Sequence, residues 1–116
     1  MSINKYEGKF PCILMVCSAG ILRSPTAAEV GREFGWNTRA VGAIKEYALI
    51  PVNSSLLMWA DKIFCMTEHH KLEILQNYSG MRIEEKILVL NIEDNYDFRS
   101  EELINILRNK FSEMDI

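Results

Sequence analysis

The chain has 116 residues, 48% of them hydrophobic and 25% charged, with a formal net charge of -3 at pH 7. That length and composition suit one folded domain over residues 1–116 and exclude a disordered chain. The acidic balance lacks the basic excess of a general nucleic-acid binder. The three cysteines, Cys12, Cys17 and Cys65, have no regular spacing, so they form no disulfide framework and suit a reducing cytoplasm.

The elements follow in chain order. Phe10–Val16 is a continuous apolar run, the pattern of a buried parallel strand. Phe10 to Leu22, behind Lys5 and Lys9, superficially resembles a signal core, but Pro11 interrupts it, it continues into Arg23-Ser24-Pro25, and it is too short to cross a membrane. A cytoplasmic protein without membrane attachment is therefore expected. Thr26–Phe34 is Ala-rich and helix-prone and stops near Gly35. Thr38–Val41 reads as a short strand ended by Gly42, and residues 43–52 read as irregular. Asn53–Ala60 fits a short helix capped by Asn53 or Ser54.

Lys62–Met66 is a third strand, and Thr67 caps a helix that reaches about Tyr78, with Gly80 as its stop. Lys86–Leu90 is a fourth strand. Ser100 caps a last helix, with Glu101 and Glu102 in its first turn and Leu103, Ile106, Leu107 and Phe111 on its buried face. Four strands separated by helices imply a doubly wound α/β fold, with a parallel sheet and helices on both faces. Ligands of such sheets bind at the carboxyl ends of the strands.

The chemistry concentrates in Cys17-Ser18-Ala19-Gly20-Ile21-Leu22-Arg23-Ser24-Pro25, between the first strand and the first helix. A strand, a tight loop and a helix start form an anion pocket, because loop amides can turn inward and the helix N-terminus adds partial positive charge. A cysteine in such a field favours the thiolate, the nucleophilic form. Arg23 offers a planar fork of donors that grips two phosphate oxygens at once. Gly20 allows a positive φ. Ser24 can donate its hydroxyl to the Cys17 thiolate, and it also fits an N-cap with Pro25 at the first helical position. The phosphate or other oxyanion would rest on Ser18, Ala19, Gly20, Ile21, Leu22 and Ser24.

This loop resembles that of the low-molecular-weight protein tyrosine phosphatases, whose pattern is Cys-x5-Arg-Ser-Pro-x-Ala-Glu. Cys17, Arg23, Ser24 and Pro25 match directly, and Thr26-Ala27-Ala28-Glu29 matches closely. Thr38-Arg39-Ala40-Val41-Gly42 is similar to the family's second strand with its Ser-Ala-Gly ending, and Ala60-Asp61 to the opening of its third strand. The resemblance implies a sheet of order 2-1-3-4. It also implies a cysteine-dependent phosphomonoester hydrolase, a protein tyrosine phosphatase, working through a cysteinyl-phosphate intermediate. The family's general acid stands in a late Asp-Pro-Tyr loop. The matching segment here is Ile92-Glu93-Asp94-Asn95-Tyr96-Asp97-Phe98. Asp94 is the matching acid because Tyr96 then takes the tyrosine position, and Asp97 is the alternative. Tyr96 would flank the substrate ring, with Tyr47 as a weaker candidate.

Two departures stand out. Ala19-Gly20 replaces the usual Gly-Asn of the loop centre, and Leu22 stands where the family often has a second cysteine. A metabolite phosphate or an RNA phosphate end would use the same loop. So would arsenate, although that chemistry normally needs further cysteines for a disulfide relay. A phosphocarrier subunit or a non-catalytic phosphate-binding module would not need the pairing of Arg23 with Asp94. His69-His70, four residues from Cys65, lack a second cluster to complete a zinc site and read as surface or helix-start residues. Trp59 reads as core. No metal or other cofactor is expected; the expected partner is a phosphorylated substrate, a phosphotyrosine protein in the first reading.

Overall fold

A computed structural model describes residues 10–44, 46, 48–93, 95–114 and 116. Four strands, β1 (Cys12–Cys17), β2 (Asn37–Gly42), β3 (Lys62–Cys65) and β4 (Ile87–Val89), alternate with four helices. The helices are α1 (Arg23–Glu33), α2 (Ser54–Trp59), α3 (Glu68–Asn77) and α4 (Glu101–Ser112). The sheet is parallel throughout, in the order β2-β1-β3-β4. A parallel strand with neighbours on both sides must be apolar on both faces. That is why the unbroken run of β1 lies at the centre and is buried from Ile13 to Cys17.

Alternation along β1 divides the core into two layers. Ile13, Met15 and Cys17 face α1 and α4, among Ala27, Ala28, Val30, Leu103, Leu107 and Phe111. Leu14 and Val16 face the other way, among Leu57 of α2, Ile63 and Cys65 of β3, and Ile74 of α3. Trp36 and Phe111 pack at 4.8 Å between ring centroids, beside Phe64, near the amino ends of the strands. The carboxyl ends are left for the Cys17 loop.

Local signals set the helix ends. Asn53 caps α2 by accepting from the Leu56 amide at 2.9 Å. Ser100 caps α4 by accepting from the Leu103 amide at 3.3 Å. The first helix differs from expectation. It begins at Arg23, after Leu22, and Ser24 lies inside its first turn rather than at the N-cap. The Ser24 hydroxyl is drawn to the Cys17 sulfur and the Val41 carbonyl, so it is not available to close the helix end. Pro25 is tolerated there because the amides of a first turn have no helical partner to lose. Trp59 is half-buried rather than fully enclosed, with the Arg39 guanidinium 5.0 Å from its ring centroid.

Two glycines let the loop press directly on the end of β2. Gly20 has φ +77, and a Cβ there would stand 2.8 Å from both the Gly42 nitrogen and the Val41 carbonyl carbon. At Gly42 a Cβ would meet the Ala48 Cβ at 2.6 Å and the Ser18 oxygen at 2.7 Å. Both neighbours are close-packed and one is backbone, so a side chain forces the loop to shift. Gly42→Ala should therefore lower the unfolding free energy by about 1–3 kcal/mol, the usual cost of overpacking. Gly80→Ala, with nothing within 4 Å, should stay within about 0.5 kcal/mol in the same urea titration.

Candidate active site

The site is built from backbone before side chains. The carbonyls of Cys17, Ser18 and Ala19 accept from the amides of Ala43, Ile44 and Leu49 at 2.7, 3.0 and 3.1 Å. Three consecutive carbonyls are thus turned outward onto the segment that follows β2. That segment reads as irregular in sequence, and three of its described amides hold the loop in place. The Gly42 amide in turn donates to the Ile50 carbonyl at 2.9 Å, which ties the segment back to β2. Peptide units that send carbonyls out present their amide edges to the other side, the arrangement of an anion nest.

The Cys17 sulfur sits at the base of this loop, buried. The amides of Gly20 and Ser24 donate to it at 3.2 and 3.4 Å. As a thiol it donates to the Ser24 oxygen at 3.1 Å, while the Ser24 hydroxyl donates to the Val41 carbonyl at 3.3 Å. A thiolate only accepts, so ionisation turns the serine proton onto sulfur. Two amides, a hydroxyl and the start of α1 thus converge on that atom.

Arg23 is 2% exposed, and its guanidinium donates from one terminal nitrogen to the Ile92 carbonyl at 2.8 Å. This bond joins the loop to the chain leaving β4. Ile92 is itself anchored by its amide, which donates to the Met66 carbonyl at 2.7 Å. The far end of the same crossing is tied to α1, where the Arg99 amide donates to the Thr26 hydroxyl at 2.9 Å. Ile92 and Arg99, at the two ends of this crossing, are therefore both fixed beside the loop. Asp94 and Tyr47 lie outside the described residues. Tyr96 is half-buried and packs against the core layer that contains Cys17, and Asp97 is exposed. Ser18, Ala19 and Gly20 are partly exposed, and Ile21 and Leu22 are exposed at the lip.

One residue of this region departs from expectation. His69 is exposed, but His70 is buried, and its Nε2 lies 2.9 Å from Ser18 Oγ. The expectation that both are surface or helix-start groups fails for His70, because the first turn of α3 lands against the Cys17 loop. Among the described residues no cluster of three or more His, Cys, Asp or Glu side chains is placed to hold a metal.

The other cysteines are kept from Cys17 in different ways, one by side-chain direction and one by distance. All three are free. Cys65 points into the opposite core layer, and Cys12 stands at the far end of β1, about 16 Å along the strand. Cys65 pairs with Val16 on the neighbouring strand, so its backbone lies beside that of Cys17, but its side chain leaves the opposite face of the sheet, and Cys12 is too distant; neither can form a disulfide with Cys17 without breaking the sheet. Burial pushes the Cys65 thiol up from 9.0 to about 12. An unfolded chain ionises that thiol above about pH 9 while the folded one keeps its proton, so stability should fall between about pH 9 and 12. In a Cys65→Val variant this alkaline decline in chemical-denaturation midpoint should flatten by one proton's worth.

No family model matches the sequence, and no curated protein matches it. Solved structures match the fold over most of the chain. A low-molecular-weight protein tyrosine phosphatase from Bacillus subtilis has 22% identity and TM-score 0.66, covering 87% of this chain and 95% of its own. The YwlE arginine phosphatase from Geobacillus stearothermophilus has 21% identity and TM-score 0.61, covering 88% and 93%. The tyrosine phosphatase Wzb from Escherichia coli K30, in complex with phosphate, has 18% identity and TM-score 0.67, covering 86% and 92%. The chain thus has the fold of the low-molecular-weight protein tyrosine phosphatases.

Proposed function

We propose that the protein is a cysteine-dependent phosphomonoester hydrolase. The observation that carries this reading is the convergence of the Gly20 amide, the Ser24 amide and the Ser24 hydroxyl on the sulfur of Cys17. Around it lies a loop whose carbonyls at 17, 18 and 19 are all engaged on the outside. A structural cysteine in a core needs no such set of donors. A nucleophile beneath a tetrahedral anion does.

The reaction takes two steps. The Cys17 thiolate attacks phosphorus in line, forming the S–P bond as the bond to the leaving oxygen breaks. Inward amides of residues 18–24 and the Arg23 guanidinium hold the equatorial oxygens as charge redistributes. Asp94 gives its proton to the leaving oxygen, which otherwise departs poorly as an anion. The same carboxylate then takes a proton from water as the water oxygen attacks the cysteinyl-phosphate. Inorganic phosphate leaves, and the thiolate is restored. No cofactor is required by this sequence of bonds.

A phosphotyrosine side chain in a protein is the substrate we favour. Ile21 is 49% exposed at the lip, and Leu22, Leu49 and Ile50 are also exposed. Leu49 is bonded through its amide to Ala19, so an apolar edge borders the anion loop. Such an edge favours an aryl group carried by a peptide over a polyhydroxy sugar. The YwlE likeness adds phosphoarginine protein as a second substrate worth presenting. The arsenate reading is disfavoured by the positions of Cys12 and Cys65, which leave Cys17 without an internal thiol partner.

Turnover of phosphotyrosine peptides, phosphoarginine protein, sugar phosphates and RNA phosphate ends should be compared with the purified protein. Phosphotyrosine peptide should be hydrolysed fastest. Cys17→Ser should abolish turnover and keep phosphate binding. Asp94→Asn should cost about 10²–10⁴-fold in kcat, the range for a general acid. Asp97→Asn should cost little. A Cys17→Ser protein with near-normal hydrolysis refutes the nucleophile, and a reversal of the two aspartate results moves the acid to Asp97.

A further inference from the structure

Besides the Arg23–Ile92 bond, the loop is held on two flanks, and only one of them is backbone. On the β2 side, the amides of Ala43, Ile44 and Leu49 take its carbonyls. On the α3 side, the contact is a side-chain pair, His70 and Ser18. Of residues 18–22, Ser, Ala, Gly, Ile and Leu, only Ser18 carries a polar side chain. It is therefore the only one of the five that can make a side-chain hydrogen bond to the scaffold. Where the family pattern has Asn, Gly20 offers no side chain at all.

The tautomer of His70 follows from its neighbours. The Thr67 amide donates to Nδ1 at 3.2 Å, and the Thr67 hydroxyl lies 3.3 Å from the same atom. A backbone amide can only donate, so Nδ1 carries no proton. The ring proton then resides on Nε2, 2.9 Å from Ser18 Oγ, and is donated to it. His70 is 1% exposed, so water does not compete for this bond. The N-terminal turn of α3 thus orients the ring, and the ring orients Ser18, one residue from the Cys17 sulfur.

We propose that His70 is a positioning residue that acts through Ser18 to hold the amide-lined loop in its anion-binding shape. His70 does not touch the substrate; it limits the freedom of the peptide units that do. The proposal rests on reading residues 17–24 as a phosphate cradle. Its consequence is specific. Loss of the Nε2 donor should weaken binding of the tetrahedral anion itself, and it should do so only while Ser18 is present.

The test is a double-mutant cycle with two readouts, inorganic phosphate affinity by titration calorimetry and kcat/KM on an aryl phosphate. His70→Phe keeps the ring volume and removes the donor. It should weaken phosphate binding by about 10-fold and cost roughly 10–100-fold in kcat/KM, as expected for a loop misplaced by a fraction of an ångström. His70→Gln, which returns a donor at a similar reach, should restore most of both. Ser18→Ala should reproduce the loss, and adding His70→Phe to it should cost nothing more.

Independent, multiplicative losses overturn the proposal. So does a His70→Phe protein with lowered stability and normal phosphate affinity, or a Gln variant that rescues nothing. If His70→Phe does not fold, Ser18→Ala alone decides, because it leaves the His70–Thr67 contacts in place; unchanged phosphate affinity there overturns the proposal. A wild-type protein that binds phosphate but hydrolyses nothing refutes the proposed activity and leaves this inference standing on the affinity data. One that binds no phosphate overturns both.

Discussion

The inversion of the peptide units from Cys17 to Ala19 is the constraint on which the rest depends. Carbonyls and amides of one peptide point in opposite directions, so a loop cannot aim its donors at an anion unless its acceptors find partners elsewhere. Ala43, Ile44 and Leu49 supply those partners. Gly20 and Gly42 permit the close approach that makes the bonds possible. The strand order then matters for function. Placing β1 between β2 and β3 puts the loop beside the segment after β2 on one side and the first turn of α3 on the other. The crossing from β4 to α4 closes the third side, through Arg23 and Ile92.

The division of the core into two layers has a chemical consequence. Residue parity on β1 sends Cys17 toward α1, where the helix start and Ser24 await it. Parity on β3 sends Cys65 into the other layer, where burial keeps its proton on. Two cysteines of similar burial thus sit in opposite surroundings. The difference arises from the donors around one sulfur and the hydrocarbon around the other.

The loop was legible in the sequence because its chemistry is consecutive. Cys17, Gly20, Arg23 and Ser24 fall within eight positions, flanked by an apolar run and a helix-prone one. The strands were legible for the same local reason, and the observed bounds differ by one or two residues, as at β1, which starts at Cys12 rather than Phe10. What was not legible depended on distant chain segments. His70 and His69 are adjacent and chemically identical, and only the docking of α3 against residue 18, 52 positions away, separates a buried strut from a surface ring. Ala43, Ile44 and Leu49 show no periodicity because they work through backbone amides, which leave no mark on composition. Ser24 satisfied the rule for a cap, but the sulfur and the Val41 carbonyl compete for the same hydroxyl, and they win.

The central claim is that the donors around Cys17 make its sulfur a reactive anion at the floor of a phosphate site. Alkylation by iodoacetate at neutral pH, followed residue by residue by mass spectrometry with and without inorganic phosphate, tests it most directly. The account predicts rapid, selective modification of Cys17, suppressed as phosphate fills the loop, while Cys65 stays unmodified. A Cys17 that reacts no faster than Cys65, or whose rate ignores phosphate, would contradict it.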